Sequence, residues 1–94
     1  MSPPQAYSEA ALKIIRQQET IIGPLAFDQA RKVAGVQSGP NGQVTLSGDA
    51  RSILENLVKQ FEQFFGQASV EVCKDAVREV KPPLPPDDLP EILR

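Results

Sequence analysis

The stretch from Ala50 to Phe65 most narrowly limits what this chain can become. At about 100° per residue, Ala50, Ile53, Leu54, Leu57, Val58, Phe61, Phe64 and Phe65 fall within roughly 140° of a helical wheel, and every other residue falls outside that arc. A helix with so complete a stripe has to bury it, so the rest of the chain must supply opposing layers. Ser47 and Asp49 stand ahead of it as candidate N-caps, and Gly66 follows as a candidate C-cap.

The first opposing layer is Ser8 to Ile22, where Ala10, Ala11, Ile14, Ile15, Ile21 and Ile22 form a second stripe. Two residues break it. Leu12 falls on the polar side and Gln18 in the middle of the apolar one, so Gln18 is expected to fold outward. Leu12 reads either as an ordinary exposed leucine or as part of a partner surface. Gly23-Pro24 ends this helix, because proline lacks the donor and restricts the residue before it, yet suits the first turn of a new one. A second helix, Pro24 to Ala34, should then bury Leu25, Ala26, Ala30, Val33 and Ala34, with Gly35 as its cap.

Glycines and Pro40 dominate the next stretch, and Gln43-Val44-Thr45-Leu46 alternates like a short strand, which predicts a small hairpin or ordered loop. The last body segment, Ser69 to Val80, is read as a helix through Val70, Cys73, Ala76, Val77 and Val80. A strand through Val70 and Val72 stays as the alternative. The expected fold is mostly α: four helices with a short β-hairpin or ordered loop between the second and third.

The prolines mark the edges. Of nine, two lie at Pro3 and Pro4 and five between Pro82 and Pro90. This divides the chain into a disordered N-terminus over 1–7, one helical domain over 8–80, and a Pro-rich acidic tail over 81–94. Pro82-Pro83-Leu84-Pro85-Pro86 should be largely polyproline II, a form that serves as a stiff spacer or as a ligand for aromatic grooves. Beyond it, Leu89, Ile92 and Leu93 share one side of a short acidic segment. That segment would make a docking peptide, fold back onto its own domain, or begin a following one.

Chemistry is narrowed by what the chain lacks. It has no histidine and one cysteine, Cys73, which excludes an internal disulfide, a His-based triad and the usual Cys/His zinc sites within one chain. Ser and Thr have no base partner, and the carboxylates mostly fall on polar helix faces, so no catalytic, metal or cofactor residue is assigned and the chain is read as a non-enzyme. Cys73 itself fits a small buried hydrophobe in a reducing compartment.

Charge is equally informative. Residues 1–81 carry nine basic and nine acidic side chains, leaving the net −2 to Asp87, Asp88 and Glu91 against Arg94. Nucleic acid and membrane are therefore not expected as partners. Ala30-Arg31-Lys32-Val33-Ala34-Gly35-Val36 resembles the start of a helix-turn-helix, but Gln37-Ser38-Gly39-Pro40-Asn41-Gly42 cannot build the recognition helix that should follow. With no apolar run long enough to span a bilayer and no basic, apolar leader after Met1, a cytoplasmic location is expected.

Two family resemblances can be named. Ile21-Ile22-Gly23-Pro24-Leu25-Ala26, set between two helices, resembles the Ile-Gly-Pro turn of small helical accessory domains in bacterial, including cyanobacterial, signalling proteins. It implies a partner-docking role and transfers no functional residue. Gly42-Gln43-Val44-Thr45-Leu46-Ser47-Gly48, with the helix after it and Ser69-Val70-Glu71-Val72, resembles the BON domain, which implies an α+β fold contacting phospholipid or envelope; Gly66-Gln67 departs from its Gly-Val pair.

The expectation is a non-catalytic protein-protein interaction or regulatory module in bacterial signalling, with BON-like lipid or envelope binding as the alternative. Candidate partner-binding residues are Leu12, Phe64, Phe65, Pro82, Pro83, Leu84, Pro85, Leu89, Ile92 and Leu93. A homodimer is a second expectation, because short helices leave apolar stripes that a small body does not fully cover.

Overall fold

A computed structural model describes residues 3–39 and 42–94. Its elements are α1 (Pro3–Ile22), α2 (Leu25–Arg31), β1 (Val36–Ser38), β2 (Val44–Leu46), α3 (Ala50–Phe65) and α4 (Gln67–Val77), followed by two 3-10 turns at Pro86–Asp88 and Glu91–Leu93. The fold is mostly α, four helices with an antiparallel hairpin between the second and third. Val36 pairs with Leu46 and Ser38 with Val44. The expected hairpin tip includes Pro40 and Asn41, which lie outside the described residues.

The α3 stripe is the centre of the core, where Leu54, Leu57, Val58 and Phe61 are completely buried. They meet Ala10, Ala11, Ile14 and Ile15 of α1 and Val70, Cys73 and Ala76 of α4. Alanines at the contact positions let the helices approach closely while the larger side chains interdigitate. Gly66 joins α3 directly to α4: its φ of +83° ends α3, and its N–H donates to the Glu62 carbonyl at 2.9 Å. The next helix therefore starts at Gln67, earlier than the expected Ser69, and residues 69–77 are helical rather than strand.

Other expectations are corrected. Gln18 does not fold outward but is 1% exposed, its Nε2 donating to the Ser69 carbonyl at 3.1 Å and to Cys73 Sγ at 3.5 Å. A polar residue is stable there because the apolar stripe has a hydrogen-bond partner waiting in it. The second helix is shorter than Pro24–Ala34, since Lys32 and Val33 donate to carbonyls only three residues back and the chain then turns through Gly35 at φ +91°. Ala34, expected inside, is exposed as a result.

Both ends differ too. Residues 3–7 belong to α1 rather than to a disordered terminus, with Ala6 buried. The tail turns back onto the body: Leu84, Pro90 and Leu93 are buried, while Leu89 and Ile92 pack partly covered against the core. Tyr7 Oη donates to the Asp88 carbonyl at 2.6 Å, and Arg51 Nε donates to the Leu89 carbonyl at 3.3 Å. Short helices leave core side chains open at the α3 and α4 surface, and the tail's own apolar residues close that gap at little reach.

Candidate docking surfaces

Two surfaces stand out. The first is the C-terminal end of α3, just before the turn at Gly66. Gln18 ties the last turns of α1 to the first turn of α4, and Gln60 Nε2 donates to Gln29 Oε1 at 2.9 Å between α3 and α2. Among the described residues the large exposed hydrophobics are Ile21 at 63%, Leu25 and Phe64 each at 52%, and Phe65 at 37%. The Phe64 and Phe65 rings are 6.4 Å apart and tilted by 50°. Lys32 Nζ lies 5.7 Å from the Phe64 centroid, a cation–π distance, and among the described residues Lys32 makes no salt bridge.

Ile21 and Leu25 were expected in the core. Ile21 lies in the last turn of α1, one turn beyond Gln18. Leu25 follows the break at Pro24, which rotates the α2 face away from the α1 stripe. The sequence signal for both was their position beside Gly23-Pro24, since helix ends overhang more readily than helix middles.

The second surface is a groove of about 960 Å³ between α1 and the hairpin, ending at Gly48 and Ala50. Its α1 wall is Gln5, Ser8, Glu9 and Leu12, one face at helical spacing, and its opposite wall is Val44 to Leu46. Leu12 is thus half-buried against the core at the groove wall. Its off-stripe position was the sequence signal for this second face of α1; nothing in the strand pattern revealed the groove itself.

The structure separates the remaining candidates. Phe64 and Phe65 are exposed and adjacent. Pro82, Pro83 and Pro85 are exposed, whereas Leu84 and Leu93 are buried and Leu89 and Ile92 partly covered, so the tail's apolar side is spent on its own domain.

Among the described residues three ionisable groups are shifted, each by its immediate surroundings. Burial pushes the Cys73 thiol up to about 11, against a smaller opposing pull from the Gln18 amide. Burial, then the nearby Asp88 carboxylate, raises Tyr7. The Ser52 hydroxyl, donating at 2.8 Å, holds the exposed Asp49 carboxyl below its usual range. Among the described residues no group of three His, Cys, Asp or Glu side chains could hold a metal ion, and no helix is long and apolar enough to cross a membrane. The chain matches no protein-family model, no curated protein and no solved structure.

Proposed function

We propose that this chain is a non-catalytic protein-protein interaction module with a regulatory role in signalling, and that its partner docks on the exposed aromatic end of α3 formed by Phe64 and Phe65. The observation that carries the reading is the pair of adjacent exposed aromatic rings, Phe64 and Phe65, with Lys32 beside the first. Scattered surface leucines are ordinary, but two adjacent exposed aromatic rings beside a cation have the composition of an interface centre. Lys32 beside Phe64 supplies a cation at its rim, so the matching surface is apolar with a carboxylate at the edge.

The test compares affinity purification from source cells using the intact chain and a Phe64→Ser, Phe65→Ser double variant. Both side chains are exposed, so each replacement should change stability by only about 0.5 kcal/mol. Loss of the same protein from the variant sample supports the reading; equal capture by both refutes it. Co-sedimentation with phosphatidylglycerol vesicles that the double variant abolishes would replace it with the lipid-binding alternative.

A further inference from the structure

The tail fills a seat on the helices, yet it is built as a separate piece. Leu84, Pro90 and Leu93 are buried there, Leu89 and Ile92 are partly covered, and the second 3-10 turn rests on α3 and α4. The tail's main-chain bonds are internal. Asp88 and Leu89 N–H donate to the Pro85 and Pro86 carbonyls at 2.9 and 3.2 Å, and Leu93 and Arg94 N–H donate to those of Pro90 and Glu91 at 2.9 and 3.1 Å. Arg94 Nε closes the loop onto the Pro86 carbonyl at 2.9 Å. Among the described residues no main-chain hydrogen bond and no salt bridge joins residues 81–94 to the rest of the chain. The body holds the tail through side chains, with Tyr7 Oη on the Asp88 carbonyl and Arg51 Nε on that of Leu89. Lys81, Pro82 and Pro83 run exposed between the body and Leu84.

We propose that this seat is a docking groove for a proline-flanked leucine segment of a partner protein, and that residues 84–93 close it in cis as the resident occupant. The groove reads apolar anchors at the spacing of Leu84, Pro90 and Leu93, and two carbonyls presented to Tyr7 and Arg51. It does not read the acidic side chains. Asp87 and Glu91 are exposed, and the surface beside Glu91 already sets Asp49 and Glu55 around Arg51. A segment that brings its own turns and needs no main-chain pairing makes the same contacts whichever chain supplies it. The tether holds the tail at an effective concentration of about millimolar, so a partner segment displaces it by fitting better or by being held nearby. This groove is separate from the aromatic end at Phe64 and Phe65, and its failure leaves the function proposed above standing.

The test uses the full chain with Leu84→Asp and Leu93→Asp, which frees the tail without altering Tyr7, Arg51 or the helices. Labelled with nitrogen-15, it is titrated with a synthetic peptide of the parent residues 82–94. The expected result is binding below about 1 mM, with the largest shifts at Tyr7, Arg51 and α4. A Leu84→Ala, Leu93→Ala peptide should bind at least about tenfold more weakly, and an Asp87→Ser, Glu91→Ser peptide equally well. The intact chain, its seat already filled, should bind the parent peptide at least about tenfold more weakly than the freed chain. Tyr7→Phe in the freed chain should weaken binding about fivefold. Where the freed chain alone is unfolded, recovery of its helical circular dichroism on adding the peptide is the supporting result. No binding or recovery at about 1 mM peptide, equal binding by the intact chain, or shifts centred on Phe64 and Phe65 would each overturn the proposal.

Discussion

Replacing Gly35 by alanine tests the joint that orients the hairpin against the helices. At φ +91° any β-carbon is strained, and here it would lie 2.5 Å from Ile53 Cδ1 and 2.7 Å from the Ser47 carbonyl oxygen. The isoleucine end can swing aside. The Ser47 oxygen cannot, because the Ser47 N–H is bonded to the Gly35 carbonyl at 2.8 Å and moving that residue opens the hairpin. The left-handed backbone costs about 1–2 kcal/mol and the forced shift about 1–3, for a total of roughly 2–5 kcal/mol. Gly23 is the matched control, with φ +70° and nothing within 4 Å of an added β-carbon, so Gly23→Ala should cost only the first part. At about 4–8 °C per kcal/mol for a domain of this size, Gly35→Ala should lower Tm by roughly 8–40 °C and Gly23→Ala by roughly 4–16 °C. Thermal unfolding followed by circular dichroism measures both. Equal losses for the two variants would refute the steric argument, leaving backbone conformation alone to explain the glycine.

Leu93→Ala should cost about 2–3 kcal/mol in urea unfolding, since Leu93 is 5% exposed at the edge of the core; a loss under about 0.5 would mean the tail does not seal it. Tyr7→Phe removes the hydrogen bond to the Asp88 carbonyl and should weaken tail docking by about 1 kcal/mol, seen as faster hydrogen exchange over residues 88–94 with the α3 amides unaffected. Cys73 should resist a thiol reagent at neutral pH until the chain unfolds, because its thiol is buried and held up to about 11. The unfolded thiol ionises near 9, so the native state binds the proton more tightly, and this contribution is intact below pH 9 and lost as pH rises toward 11. A Cys73→Ala variant should therefore show a stability profile flatter than the parent's by roughly 3 kcal/mol over that window; identical slopes would sink the assignment.

Periodicity and punctuation were enough to read α3 from Ala50 to Phe65, the break at Gly23-Pro24, the turn at Gly66 and the strand at Val44–Leu46, because each depends on local geometry: a side-chain stripe, a ring that cannot donate, a residue free to adopt positive φ. Burial at the ends of elements depends instead on what stands opposite, and that is a property of three dimensions. Gln18 is inside, where Ser69 of α4 offers it a carbonyl, and Ile21, one turn later on the same stripe, is outside at the end of α1. Leu84, Leu89, Ile92 and Leu93 could have met a foreign groove or their own core with the same sequence; the gap left between short helices, and the hydrogen bonds offered by Tyr7 and Arg51, decided for the core.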